Sequence, residues 1–148
     1  MAIYYSPNGN PEVWDKKPNA YYTPEEWARL HPAPKPTFDE LKSQKLVDIA
    51  LARYEAEISG ITVNGVVFDT GRDSQALITG AALAAILDEN YSLNWKTVTG
   101  FIHLTAPEII AVAQAVRSHV QSCFDHEGEL VALIDAAQTK DELNAIKW

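Results

Sequence analysis

The sequence of 148 residues has a single cysteine, Cys123, so no disulfide can form within the chain. Basic residues are also scarce, because twelve Lys and Arg stand against twenty Asp and Glu, which gives a net charge of -8. Phosphate binding needs clustered Lys and Arg, so the composition argues against a nucleic-acid-binding protein. No apolar run approaches the roughly 20 residues of a membrane helix, and no signal-peptide pattern follows Met1. We therefore expect folding in a reducing cytoplasm, with neither nucleic acid nor membrane as a partner.

Motifs that carry chemistry are missing as well. There is no Gly-rich phosphate loop, no Gly-x-Ser-x-Gly and no paired Cys-x-x-Cys. The sharpest remaining pattern is 66–71, where apolar residues precede Asp69-Thr70-Gly71 in a way that is similar to the aspartic peptidase signature. In such a peptidase a homodimer would supply the second Asp that shares the proton. The alternative is a strand that ends in a turn, where Asp and Gly are expected, and we predict no enzyme.

A second pattern concerns metal binding. His119, Cys123 and His126 lie at i, i+4 and i+7, on one face of a helix, and Glu127 follows them. These groups are zinc ligands by type, but one helix alone does not surround an ion. The alternative is a packed cysteine beside histidines that face solvent. We predict no metal and no cofactor.

Residues 1–36 differ in composition from the rest of the chain. They hold seven of the eight prolines, together with four acids and four bases. Short apolar segments between turn residues predict two or three short strands, and Thr23-Pro24 predicts the start of a short helix. The proline-rich segment 31–36 is expected to be an extended linker. The predicted elements of this arm are strands at 2–5, 12–15 and 20–22 and a helix from residue 24.

The arm also carries six large aromatic side chains, too many for so short a piece to bury by itself. Two interpretations stay open: the arm folds back on the body, or it presents an apolar surface to a partner. The partner-binding residues that we predict are Tyr4, Tyr5, Trp14, Tyr21, Tyr22 and Trp27.

The body, residues 37–148, is predicted to be α+β and mainly α, with long amphipathic helices packed against two small β-hairpins. Asn64-Gly65 is the strongest hairpin signal, because both turn positions need a positive φ. One face of the first body helix carries Val47, Leu51, Tyr54 and Ile58. In the next helix Gly80 costs about 1 kcal/mol relative to alanine, so we expect a close backbone contact there. The predicted elements are helices at 37–58, 73–87, 105–136 and 139–148 and hairpins at 61–68 and 93–104.

The helix 105–136 organises this body. Thr105 and Glu108 form a capping box with Pro107 in the first turn. Apolar residues then recur with heptad spacing, which is typical of a seam against another helix and allows a homo-oligomer. Glu127 interrupts the seam: either it sets register or oligomeric state, or the helix bends near Gly128 and the carboxylate reaches water. The seam residues that we predict are Ile109, Val116, Val120, Cys123, Glu127, Leu130 and Ile134, with Ala113 beside them.

Spaced positions of the body and of the arm follow a pattern known from other sequences. In the body they are 61–66, 73–75, 79–81, 95–96, 100–102, 104, 120–121, 124, 134–137, 139 and 142–143, and in the arm they are 4–6, 12–14, 17–18, 21 and 23–27. On these positions residues 45–148 resemble a phage tail family, a domain of unknown function found near or at the ends of tail-fibre genes, and the arm is similar to the beginnings of tail-fibre assembly proteins. Val98-Thr99 replaces the Asp or Asn that is usual in the second hairpin turn.

The resemblance implies a non-enzymatic bacteriophage or prophage tail protein. It would act in tail-fibre assembly, or remain in the virion bound to the tail, through contacts with a tail or tail-fibre protein. It would be located in the host cytoplasm during assembly or in the virion tail. The resemblance supplies no active-site residues.

Overall fold

The computed structural model describes all 148 residues and divides them into two units, Met1–Thr37 and Phe38–Trp148. The order of elements confirms the predicted class, α+β and mainly α. None of the helices is long and apolar enough to cross a membrane. The elements are β1 (Ala2–Tyr5), β2 (Pro11–Trp14), α1 (Pro24–Leu30), α2 (Phe38–Glu57), β3 (Ile61–Val63), β4 (Val66–Phe68), α3 (Arg72–Leu87), β5 (Ser92–Thr97), β6 (Gly100–Thr105), α4 (Ala106–Ala136) and α5 (Lys140–Ala145).

The first unit is an antiparallel hairpin of β1 and β2 followed by α1. The predicted third strand at 20–22 is reduced to one bridge, in which Tyr5 and Tyr22 exchange backbone hydrogen bonds of 2.8 and 2.9 Å. Helix α1 begins with the predicted capping box, since Glu26 N–H donates to Thr23 Oγ1 and Thr23 N–H donates to the Glu26 carboxylate. The segment 32–37 has no regular secondary structure.

The second unit is built on α4, with two hairpins and three helices around it. The hairpin of β3 and β4 turns through Asn64 and Gly65, whose φ angles are 49° and 79°, as the sequence predicts. Strands β5 and β6 turn through Val98 and Thr99. At the start of α4, Glu108 accepts the backbone N–H of Thr105 at 2.8 Å, which fixes the predicted cap.

Helix α4 lines two apolar clusters. Its first half packs with α3 and the hairpins, and its second half packs with α2 and α5. The last helix is shorter than the predicted 139–148, because it ends at Ala145 and Ile146 turns into the second cluster. The buried residues that define the clusters are Phe68, Ile78, Ala81, Ala85, Leu104, Ala106, Ile109, Val112, Val116 and Val120 in the first, and Ile49, Leu130, Ile134, Ala137, Leu143 and Ile146 in the second.

Candidate functional site

The aromatic side chains of the arm pack mainly on one another. The Trp27 indole stacks on Tyr5 at 5.5 Å between ring centroids, and on His31 at 3.7 Å. Tyr22 lies against the same indole at 5.5 Å. The β1–β2 hairpin and α1 bring these rings together as a cluster, but none of the six aromatic side chains of the arm is fully buried, which agrees with the expectation that so short a piece cannot bury them all.

A second aromatic pair lies on the other face of the hairpin. Trp14 meets Tyr21 edge-on at 6.1 Å, and the Tyr21 hydroxyl donates to the Glu12 carboxylate at 3.1 Å. Burial and this carboxylate raise the pKa of Tyr21. Trp14 remains 44% exposed, and Ile3 and Val13, which are cross-strand partners, are exposed beside each other. Of the six predicted partner-binding aromatics, Trp14 is the exposed one, and Tyr4, Tyr5, Tyr21, Tyr22 and Trp27 are half-buried.

The residues predicted to form a seam on α4 lie in the hydrophobic core of a single chain. Its apolar members are buried against α2, α3 and α5 of the same chain, so they offer no surface to a second copy, and the predicted oligomeric role of the seam is corrected. Helix α3 covers the first half of α4 and α2 covers the second half, so the heptad pattern runs along both contacts. The buried members are Ile109, Val116, Val120, Cys123, Leu130 and Ile134.

Glu127, the polar residue of this seam, forms an ion pair within the chain. Its carboxylate accepts Arg53 Nε at 2.9 Å, and Arg53 Nη1 donates to Glu57 Oε2 at 2.5 Å. The Arg53 guanidinium also lies over the Phe124 ring at 4.4 Å. Neither sequence interpretation of Glu127 included this pairing with α2.

Glu57 is the centre of the cluster, and only 2% of it is exposed. Gln75 Nε2 donates to one carboxylate oxygen at 3.1 Å, and Arg72 Nε approaches the same oxygen at 3.3 Å. Burial raises the pKa of the Glu57 carboxyl, but the hydrogen bonds from Gln75, Arg72 and Arg53 outweigh it, so the net pKa lies below the ordinary value. The cluster joins α2, α3 and α4.

A buried hydroxyl completes this junction. Thr70 Oγ1 donates to the Glu57 carbonyl at 2.6 Å and accepts the Gly60 N–H at 2.9 Å. His119 Nε2 lies 2.9 Å from the Ala56 carbonyl, so this nitrogen serves as a donor to the end of α2. These contacts hold the chain where it leaves α2.

The predicted zinc pattern does not converge on an ion. His119 Nε2 is hydrogen-bonded to the Ala56 carbonyl, and Cys123 is buried. The His126 ring packs edge-on against Trp148, with 4.6 Å between the ring centroids. No group of three or more His, Cys, Asp or Glu side chains in the structure could hold a metal. The shared helix face is real, but each side chain has a separate structural contact.

The carboxylate of Asp69, the acid of the peptidase-like pattern, accepts two hydrogen bonds just before and within the first turn of α3. Its carboxylate accepts the Ser74 hydroxyl at 2.5 Å and the Gly71 N–H at 3.1 Å. These hydrogen bonds lower the pKa of Asp69, which keeps it ionised. A peptidase carboxylate instead shares a proton with a second carboxylate, so the geometry accounts for Asp69 as an acceptor in the turn that precedes α3.

Two helices of the second unit expose apolar faces. On α2 the face predicted from the sequence points away from α4: Val47 is 61% exposed, Leu51 57%, and Tyr54 is exposed beside them. Arg53 and Glu57 lie on the covered side instead. Exposed apolar patches of this kind mark interaction sites.

The second exposed face belongs to α3, where Leu77, Leu83, Ile86 and Leu87 are all exposed. The backbone contact expected at Gly80 is absent, since a Cβ atom there would meet nothing within 4 Å. Beside this helix a groove of about 670 Å³ runs along α4, with Ile86 on its α3 wall and residues such as Arg117 and Asp125 on its α4 wall.

Comparison with known proteins places this second unit in a family. The profile of the family described as "Domain of unknown function (DUF4376)" matches residues 40–147. The chain belongs to the DUF4376 family. No curated protein and no solved structure matches it. The DUF4376 domain thus covers α2 through α5, and the arm with its aromatic cluster precedes it.

Sequence reasoning missed two features of the DUF4376 domain. One is the Glu57 cluster, for which the available signal was an Arg and a Glu four residues apart on a helix, the spacing of an intrahelical ion pair. The other is the exposed face of α3. Its signal was the run from Ala76 to Leu87, in which Thr79 is the one polar side chain, a pattern that is unusual for a helix with one covered side.

Proposed function

We propose that this chain is a non-enzymatic bacteriophage or prophage tail protein that acts in tail-fibre assembly, or as a component attached to the tail or fibre, through protein–protein contacts. The resemblance of residues 45–148 to tail-associated sequences supports this function. The resemblance of the arm to tail-fibre assembly proteins supports it too.

The observation that carries the proposal is the arm. Its hairpin exposes the cross-strand pair of Ile3 and Val13 on one face, and on the other face Trp14 stays 44% exposed beside Tyr21. Tryptophan is enriched among the residues that contribute most to binding at protein interfaces. A small unit with a rigid ring cluster and an exposed apolar strand pair is suited to contact a protein surface, and the tail or fibre chain is the partner that the resemblance implies.

The body is consistent with this role. Residues 37–148 contain sixteen acids and eight bases, so they carry the entire net charge of -8. Exposed apolar faces on α2 and α3 within such an acidic domain indicate contacts with other proteins.

The test is co-expression with the tail-fibre chain encoded beside the gene, followed by affinity measurement on the purified proteins. The double variant Val13→Thr with Trp14→Thr places residues that β-strands favour at both positions. It should weaken the complex at least tenfold, because interface hot spots cost about 2 kcal/mol or more. The matched control is Val98→Thr, which changes an exposed valine at the β5–β6 turn of the body.

The control should leave the affinity unchanged. The proposal is contradicted if the fibre chain does not bind the intact protein, or if the double variant binds as tightly as the Val98→Thr control. Backbone amide NMR signals of β1 and α1, compared with those of the intact protein, verify that the arm of the double variant is folded.

A further inference from the structure

The exposed face of α3 is made of two small residues followed by two large ones. Ala76 and Gly80 are four residues apart, and so are Leu83 and Leu87. Together they follow the alternating four- and three-residue spacing of a helix seam. Leu83 is 59% exposed and Leu87 80% exposed, while Ile78, Ala81 and Ala85 on the opposite side are buried.

This face carries no charge. Between Asp73 and Asp88 there is no charged side chain, in a domain that is otherwise strongly acidic. A helix that is apolar on all sides is normally covered on all sides, and here one side has no cover within the chain.

We propose that α3 pairs antiparallel with α3 of a second copy of this chain. In that arrangement Ala76 of one copy lies opposite Leu87 of the other, and Gly80 lies opposite Leu83 of the other. Because of the two-fold symmetry, each of these contacts occurs twice. The equal spacing of the small and the large pair makes the face complementary to itself, as an isologous interface requires. The open space above Gly80 receives the leucine side chain.

Charges at the ends of α3 favour the same orientation. The beginning of α3 carries Arg72 and Asp73, whose charges cancel, whereas the acids Asp88 and Glu89 follow the last turn. A parallel pair would bring the two acidic ends together, and an antiparallel pair separates them.

The expected dimer is weak. A helix of 16 residues is about 24 Å long, and one such contact is smaller than the roughly 800 Å² per partner of a standard interface. The structure therefore assigns a dimer that dissociates on dilution. This contact lies in the body and is independent of the arm contact proposed above.

The test is sedimentation equilibrium of the full chain over about a hundredfold range of concentration, which spans a weak dimer. The intact protein should show a monomer–dimer equilibrium. Leu83→Glu should weaken it more than tenfold, while the matched control Leu133→Glu, an exposed leucine of α4, should not change it. Gly80→Ala should also weaken it, although it raises the helix propensity of α3 and should raise the melting temperature.

A cross-link tests the register. The variant with Ala76→Cys and Leu87→Cys should form a disulfide-linked dimer on mild oxidation, because eleven residues of helix separate the two positions within one chain by about 16 Å. The single variant Ala76→Cys should form far less.

A protein that is monomeric at every concentration overturns the proposal. So does a dimer that survives Leu83→Glu, or a double-cysteine variant that does not cross-link; each result would leave the face for a different partner. Deleting residues 1–36 should not affect the dimer, so failure of the arm contact and failure of this pairing are distinguishable.

Discussion

Replacing Glu57 tests the centre of the DUF4376 domain. Both of its carboxylate oxygens are occupied, one by Arg53 at 2.5 Å and the other by Gln75 and Arg72 at 3.1 and 3.3 Å. Removal of one partner from a buried ion pair costs about 3–5 kcal/mol. Because Arg53 keeps Glu127 as a partner and Arg72 reaches water, Glu57→Ala should lower the free energy of unfolding by about 3 kcal/mol, the lower end of that range.

Glu57→Gln is the milder change, because the amide keeps the shape and one acceptor but loses the charge. Arg53 keeps Glu127, and Arg72 is partly exposed to water. The expected loss is about 1.5–3 kcal/mol, the range of a hydrogen bond to a charged group. Glu55→Gln on the exposed side of α2 is the matched control and should stay within about 0.5 kcal/mol of the intact protein.

The assay is urea unfolding followed by circular dichroism at 222 nm, which reports mainly the body because four of the five helices lie there. The sign of the pH dependence follows from the lowered pKa of Glu57. Its stabilisation is fully present above the ordinary glutamate pKa of about 4.3 and is lost as pH falls through the folded value. The free energies of unfolding of the intact protein and of Glu57→Gln should therefore become equal at acid pH. Equal stabilities of Glu57→Gln and Glu55→Gln at pH 7, or a gap that persists unchanged in acid, would refute the reasoning.

Three further outcomes are expected. Thr70→Val removes the hydroxyl that accepts Gly60 N–H and should cost about 1–3 kcal/mol in urea unfolding, while Thr70→Ser should cost less. Cys123 is buried and burial raises the pKa of its thiol, so a thiol reagent should label it in urea and only slowly in the native protein. Gly9→Ala should destabilise the arm, because Gly9 has a φ of +86° and its added methyl would lie 3.0 Å from Trp27. The summed emission of the four tryptophans should shift, while the body signal at 222 nm stays unchanged.

The turns and helix caps could be predicted from the sequence because they depend on neighbouring residues. The turn at Asn64 and Gly65, and the cap at Thr23, depend on residues within a few positions of one another. Both are present in the structure as the sequence predicts. The fold class follows from these local signals and from the apolar spacing of the long helices.

Spacing identifies a buried face but not the chain that covers it. The heptad pattern of α4 correctly indicates that Ile109 and Ile134 are buried. Its extension to a second copy is wrong, because α2 and α3 follow each other along α4 and together imitate one long partner helix. No local signal distinguishes two short neighbours from one long one.

For α2, the prediction of the buried face is wrong for a different reason. Its most apolar face, with Val47 and Leu51, is exposed, whereas Arg53 and Glu57 lie on the covered side. Charged side chains can be covered when each is paired, and the partners Arg72 and Glu127 come from distant parts of the chain. Hydrophobicity along α2 alone therefore assigns the wrong face to the core.

The two uncovered helix faces of the body differ in their charged borders, and this difference determines what each can bind. Asp48 and Glu55 are exposed and seven residues apart, so they lie along one edge of the Val47 and Leu51 face. Two copies of that face would bring acids towards acids, and like charges across an interface suppress pairing. We therefore expect this edge of α2 to favour a partner with Lys or Arg beside its apolar residues, while Arg72, which lies over the Tyr54 ring at 5.3 Å, borders the same face elsewhere. The α3 face has no acidic edge between Asp73 and Asp88, which is why the pairing of two copies is proposed there and not on α2.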